Sequence, residues 1–321
     1  GWQGGAGNVA EQAAPTRRDE PVIVVLGAFD GVHRGHQALL RGAVAAAAAQ
    51  GARVVAVTFD PDPEHVLRPA EAPPDLTTIT ERVQLIRQQG VDEVCVWPFT
   101  PAVAQMQPEA FVAALCARYP VVGIWVGENF RFGHGRTGSP ATLAALGQQL
   151  GFTVHTLPPV FAGDRPISSS WIRELLLGGE VRAAAELLGR PYRLEGEVVG
   201  GARRGRQLGF PTANLVPPAG RLVPAPGVYA GWARVPTGAW PAVANLGSRP
   251  TFGEEQPLLE VHLLDYAGDL YGQSLAFDFL DRVRPVQRFA SVEALRAQIA
   301  RDIDAARALL HTPAPPAGAE R

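Results

Sequence analysis

Five short apolar runs punctuate the first part of the chain: Val22–Leu26, Val54–Phe59, Glu93–Val96, Val121–Val126 and Phe152–Leu157. Their length and composition read as short, fully buried strands. Stripes at helical spacing separate them. Leu39, Leu40, Ala43, Val44 and Ala47 form one such stripe within Gln37–Gln50; Val83, Leu85 and Ile86 mark a second helix, and Phe111, Val112 and Leu115 a third. Buried strands alternating with helices predict a parallel sheet covered on both faces. In such sheets ligands bind at the carboxyl ends of the strands. Ser168–Leu177 and Val181–Leu188 then read as two helices broken at Gly178–Gly179.

From Tyr192 the texture changes to short strands between Gly/Pro turns: Arg193–Val199, Val228–Val235, Ala242–Leu246, Leu258–Leu264 and Leu275–Val283. That pattern predicts a small antiparallel barrel. A last helix places Val292, Leu295, Ile299 and Ile303 on one face, with Ser291 as its N-cap. The domain boundary falls at Leu188–Pro191, which gives domains over residues 20–188 and 189–310. Residues 1–19 and 311–321 are expected to be disordered.

Composition narrows the function. The 321 residues carry a net charge of −2, which argues against nucleic acid or an anionic membrane as the main partner. There is no lysine, so all 29 basic residues are arginines and any phosphate contact falls to Arg, His or backbone N–H. No apolar stretch approaches the ~18 residues of a membrane span. Cys95 and Cys116 have no metal-site spacing and suit a reducing compartment, so a cytoplasmic location is expected. The sequence leaves the oligomeric state open.

The chemistry concentrates in a few segments. GAFDGVHRGH, Gly27–His36, joins the first strand to the first helix and carries His33 and His36. A strand, a glycine turn and a helix N-terminus form an anion site, where two imidazoles can donate to a phosphate gaining charge. The plainer alternative is a pair of helix-capping histidines. ISSSWIR, Ile167–Arg173, offers a phosphate cradle of serines and Arg173, or one capping serine. VGENFRFGHGRTG, Val126–Gly138, follows a strand as a Gly-rich loop with Asn129, Arg131 and Arg136 in reach of a ligand; Phe130 and Phe132 either stack on a planar ring or pack on the core.

In the second domain, GRQLGFPTANL, Gly205–Leu215, places Thr212 and Asn214 on one side of an extended segment, a hard-oxygen pair suited to Mg²⁺ with phosphate. Upstream, Gly200, Gly201 and Gly205 permit close backbone approach to a phosphate, and Arg203, Arg204 and Arg206 cluster nearby. Glu260, a carboxylate within the apolar strand Leu258–Leu264, is either a rim residue or a base for a hydroxyl attacking a γ-phosphate. His262 shares its face without an assigned role. Asn245–Gly253, NLGSRPTFG, reads as a loop able to close over a ligand, with Arg249 a candidate phosphate contact.

These segments, together with TFDPDP, ISSSWIRELLLGGEV, PGVYA and LEVHLLDYAGDLYG, resemble the prokaryotic bifunctional riboflavin kinase/FMN adenylyltransferase (FAD synthetase) family over about residues 20–310. The resemblance implies an α/β nucleotidyltransferase-type (Rossmann-like, parallel sheet) domain followed by a small antiparallel six-stranded β-barrel domain with a C-terminal helix. It implies riboflavin, FMN and ATP as substrates, with Mg²⁺ accompanying ATP. Glu260 matches the kinase base, and Thr212 and Asn214 match the Mg-ATP ligands. His33 and His36 match the histidines that stabilise adenylyl transfer. Gly27, Phe29, Asp30, Gly35, Asn129, Ser168, Ser169, Arg173 and Gly205 fall in the remaining nucleotide-binding motifs. Asp62 stands where the family commonly has a His, and His134 where a Lys is frequent. Two other readings compete. One is a kinase whose first domain only binds nucleotide, with Asp62 as its support. The other is an RNA-gripping barrel module, for which the barrel lacks a basic stripe interleaved with aromatics.

Overall fold

The computed structural model describes residues 20–200, 209–251, 254–268 and 270–310. The chain divides into two compact units. One runs up to Pro73 and over Ile79–Val160; the other holds Pro74–Thr78 and continues from Phe161.

The first unit follows the alternation of the sequence. In chain order it contains β1 (Val22–Leu26), α1 (Arg34–Gln50), β2 (Arg53–Asp60), α2 (Pro63–Leu67), α3 (Ile79–Arg87), β3 (Glu93–Pro98), α4 (Pro101–Ala104), α5 (Pro108–Arg118), β4 (Val121–Gly127), α6 (Pro140–Leu150) and β5 (Thr153–Leu157). The five strands form a sheet of order β3-β2-β1-β4-β5, parallel at every pairing. Strand β1 is central and wholly buried. Its alternate residues feed two cores: Val22, Val24 and Leu26 pack with Phe111, Val112 and Leu115, whereas Ile23 and Val25 pack with Leu39, Leu40 and Ala43. Burial on both faces removes the need for alternation, which is why β1 and β2 read as continuous apolar runs. Strand β5, predicted to be fully buried, is instead mostly exposed. It lies at the sheet edge, where β4 covers only one side.

The second unit begins with the short hairpin β6 (Phe161–Ala162) and β7 (Arg165–Pro166), then α7 (Ser169–Gly178) and α8 (Val181–Leu188). Gly179, left-handed at φ 82°, caps α7, as the double glycine predicts. Six strands follow: β8 (Tyr192–Val199), β9 (Ala213–Leu215), β10 (Gly227–Val235), β11 (Gly238–Thr251), β12 (Glu254–Leu263) and β13 (Ser274–Pro285). They close a barrel in the order β10-β11-β12-β9-β8-β13, antiparallel throughout. Leu194, Leu215, Tyr229, Leu259, Val261, Phe277 and Phe279 are fully buried. At Gly231 an added Cβ would stand 2.2 Å from the Asp278 carbonyl, so this strand crossing accepts no side chain.

The last helix, α9 (Val292–Leu309), lays Ala306 and Ile303 over Val228, Ala230 and Val243 on the outside of the barrel. Ser291 caps it, accepting from the Ala294 N–H at 3.2 Å. Val292, expected on the buried face, is 59 % exposed, because the first turn extends past the strands that the rest of the helix covers. The run Asn245–Gly253, expected to be a loop, continues β11 through Thr251 and pairs with β12 down to Thr251↔Glu254. The side chain of Arg249 lies outside the described residues, as do Gly201, Arg203, Arg204, Gly205 and Arg206.

Candidate functional site

In the first unit the site starts from the sheet order. The two segments singled out there, Gly27–His36 after β1 and Val126–Gly138 after β4, leave the carboxyl ends of neighbouring strands. The order reverses between those strands, and the crevice at such a switch point is where open α/β sheets bind nucleotides.

The turn after β1 is held in an unusual backbone. Phe29 has φ 57°, Gly31 φ 81° and Val32 φ 40°. A left-handed Phe and a left-handed β-branched Val each cost roughly 1–3 kcal/mol. Both side chains are fully buried, which offsets the cost and locks the turn. Gly27 is required for that packing: a Cβ there would meet the Phe29 ring at 2.8 Å. Buried Asp30 lies in the same turn and is ion-paired with Arg82 at 3.4 Å.

His33 is the N-cap of α1, and its Nδ1 accepts from the His36 backbone N–H at 3.3 Å. Acceptance at Nδ1 places the ring proton on Nε2, where it can donate to a ligand. The His33 and His36 rings stack at 3.6 Å between centroids, and Phe29 meets His36 edge-on at 5.2 Å. His36 Nδ1 is buried and has no partner among the described residues. Burial first, then the neighbouring His33 and Arg82 charges, hold the His36 imidazole well below its ordinary pKa, so the ring is neutral at neutral pH. The capping alternative holds for the His33 Nδ1. It leaves the buried, unpartnered His36 Nδ1 unexplained.

Asp62 caps α2, accepting from the Glu64 N–H at 3.1 Å, and stands 4.0 Å from Arg82. Its charge therefore meets a helix N-terminus and a guanidinium. In the loop after β4, Asn129, Arg131 and Arg136 are exposed, as is His134. Phe132 belongs to the core with Phe111, and Phe130 stacks on Phe132 at 5.7 Å, so both rings serve packing.

Ser168, Ser169 and Arg173 lie in the second unit. Ser168 caps α7, accepting from the Trp171 N–H at 3.2 Å, and the Arg173 Nε donates to the Pro74 carbonyl at 2.9 Å.

On the barrel, three side chains line up across three strands. The register pairs Asn245 of β11 with Glu260 of β12, and Glu260 with Asn214 of β9. Directly opposed residues share a face. Leu246, Leu259, Val261 and Leu215, one residue away in each strand, fill the interior, so the polar row lies on the outer wall. Asn245 Nδ2 donates to Glu260 Oε2 at 3.2 Å. Asn214 is 5 % exposed, and its Oδ1 is buried without a partner among the described residues. A buried, unmatched amide oxygen beside a carboxylate and next to half-buried Thr212 is a donor set for a hard cation. His262, two residues beyond Glu260 on the same face, donates from Nδ1 to the Pro211 carbonyl at 2.7 Å, and Phe210 meets it edge-on. It holds the turn that leads into Thr212.

Sequence reasoning missed Arg82, Asn245 and the role of His262. Arg82 occupies a core position on α3 beside Val83 and Ile86, where helical periodicity asks for an apolar residue. That misfit was its one visible signal. Asn245 becomes identifiable only through its register with Glu260.

Comparison with known proteins bears on both units. A family model for FAD synthetase matches residues 16–171, and one for riboflavin kinase matches residues 188–310. The bifunctional riboflavin kinase/FMN adenylyltransferase of Escherichia coli (strain K12) is 38% identical over 288 residues, 88% of this chain and 91% of the relative. The protein of the same description from Bacillus subtilis (strain 168) is 35% identical over 285 residues, 87% of this chain and 90% of the relative. A crystal structure described as a macrolide-efflux protein from Streptococcus pneumoniae superposes with a TM-score of 0.84 at 33% identity, covering 90% of this chain and 94% of that one.

Proposed function

Because this chain belongs to the bifunctional riboflavin kinase/FMN adenylyltransferase family, we propose that the two polar constellations described above divide its two reactions between them. The protein makes FAD from riboflavin: ATP phosphorylates riboflavin to FMN, and ATP then adenylylates FMN to FAD with release of pyrophosphate. We assign the transferase to residues 20–188 and the kinase to residues 189–310; the family models, which cover 16–171 and 188–310, support the order of the two domains.

The observation that carries the kinase assignment is the row Asn245–Glu260–Asn214. Glu260 is the general base. Its Oε2 is engaged by Asn245, which leaves Oε1 to take the proton from the riboflavin hydroxyl as that oxygen attacks the γ-phosphate. Asn214 and Thr212 offer oxygens to the ion that accompanies ATP. Among the described residues no group of three or more His, Cys, Asp or Glu side chains is placed to hold a metal. A two-ligand oxygen site completed by phosphate and water fits Mg²⁺, which keeps much of its hydration. When bound, Mg²⁺ neutralises phosphate charge. Gly205 is assigned to the same nucleotide-binding segment.

In the first unit, His33 donates from Nε2 and neutral His36 from its ring N–H to the phosphates of ATP as the FMN phosphate attacks the α-phosphorus. Gly27, Phe29, Asp30 and Gly35 shape that turn, and Asn129 contacts the nucleotide. Ser168, Ser169 and Arg173, in the second unit, are assigned to nucleotide-binding motifs by the family resemblance alone. The free thiols Cys95 and Cys116 support a cytoplasmic setting.

The test is one incubation of purified protein with riboflavin, ATP and Mg²⁺, with FMN and FAD separated over time. FMN first and FAD after it is the expected course. FMN accumulating without FAD, even when FMN is supplied, would leave only the kinase half of the reading.

A further inference from the structure

Arg82 is buried, 3 % exposed, in the core face of α3. Its Nη1 donates to the Ala28 carbonyl at 3.1 Å and the Phe59 carbonyl at 3.2 Å, and its Nη2 to Asp30 Oδ1 at 3.4 Å. It also stands 4.0 Å from Asp62 Oδ2. Ala28 and Asp30 lie in the strained turn after β1, Phe59 is the last residue but one of the neighbouring strand β2, and Asp62 caps α2. One planar fork thus joins the carboxyl ends of two adjacent parallel strands and meets two carboxylates.

From this geometry we infer that Arg82 is a positioning residue for adenylyl transfer: it fixes the turn that carries His33 and His36 and balances Asp30 and Asp62 beside the phosphate site. The inference rests on the reading that those histidines act in adenylyl transfer. The physical need is plain. ATP brings several negative charges to the end of β1. Two carboxylates there would repel them unless a cation sits among the carboxylates. A buried cation in turn requires acceptors on every side, and two carbonyls and the Asp30 carboxylate supply them.

The titratable and charged groups acting on His36 are His33, stacked on it, and Arg82, which is itself 3.4 Å from Asp30 and 4.0 Å from Asp62. Arg82 opposes protonation of His36. Without it one of the influences that oppose the proton is gone, while burial and His33 remain. The sign follows: removing the Arg82 charge moves the acid limb of adenylylation to higher pH. Removing only its fork, with the charge kept, lowers the rate at every pH and leaves the limb in place.

The experiment uses the full chain and measures both reactions in each preparation. Arg82→Lys keeps the charge and loses the fork. Its kcat/KM for FMN to FAD is expected to fall by about tenfold to a hundredfold with an unshifted acid limb, while riboflavin phosphorylation is unchanged. Arg82→Met is expected to raise the KM for ATP in adenylylation and shift the acid limb upward, which a purely structural role would not do. If Arg82→Met does not fold, Arg82→Lys alone decides. His36→Ala separates the two layers of the reading. Loss of FAD formation in His36→Ala, with Arg82→Lys matching wild type in rate, KM and pH profile, overturns the role of Arg82 alone. Full FAD formation by His36→Ala overturns the histidine reading and this one with it.

Discussion

His36 shows how one residue ties the site to stability. Its pKa is lowered in the folded chain by burial and by the charges of His33 and Arg82. The unfolded chain has no such suppression and takes up a proton below about pH 6.5. Stability is therefore highest above that value and falls as pH drops through it, until the depressed folded pKa is reached. Thermal melts at about pH 7.5 and about pH 5.5 should show a larger loss in wild type than in His36→Gln, since other groups contribute equally to both. An equal loss would mean that His36 protonates freely in the fold. On the barrel, His262 acts through the Pro211 carbonyl, so His262→Ala frees the turn ahead of Thr212. The expected result is an ATP KM in riboflavin phosphorylation raised by about tenfold, with adenylylation unchanged and partial rescue by His262→Asn, which restores a donor.

Among the elements, α9 depends on one buried ion pair more than its apolar stripe implies. Arg284 of β13 grips Asp302 through both carboxylate oxygens at 2.8–3.1 Å, and Gln298 adds a further donor to Oδ1 at 2.8 Å. Asp302 is 3 % exposed. Removing it strands a largely buried guanidinium, a loss of about 3 kcal/mol. Urea unfolding of Asp302→Ala, read from barrel tryptophans such as Trp232, checks this; a loss near zero would show the pair to be solvent-relaxed. The same helix explains the misplaced Val292. Periodicity identifies a face, but how far along that face the barrel reaches depends on strand length. Strand β11 errs the other way. Gly247 and Pro250 read as loop residues, yet the register with β12 runs through both positions, because a long hairpin partner supplies the pairing that local propensity does not.

For the whole molecule, the proposed assignment gives the two activities separate constellations, so substitution should separate them. Glu260→Gln is expected to abolish FMN formation while FAD formation from supplied FMN persists; His36→Ala should do the reverse. Assaying both variants with riboflavin and with FMN checks this. Loss of both activities in either folded variant would mean that the sites are not independent. The asymmetry of the sites also follows from their architectures. A doubly wound sheet places its site where strand order reverses, at the ends of strands. The closed barrel has no such reversal, and its candidate site lies along the wall, where three adjacent strands each contribute one polar residue.

Alone, the sequence determined the class of each half and the segments proposed to carry chemistry. Short buried strands, helical stripes and a glycine turn before a helix are local patterns with local causes, and GAFDGVHRGH and PTAN can be read without knowing their neighbours. Only the tertiary structure decided which partners those segments meet. Arg82 is 52 residues from Asp30 and Asn245 is 15 from Glu260; no periodicity encodes either pairing. The edge position of β5 and the strand conformation of 245–251 were settled in the same way, by which neighbour supplies hydrogen bonds and cover. Backbone patterns are written in adjacent residues, whereas burial, charge balance and register are properties of residues brought together by the fold.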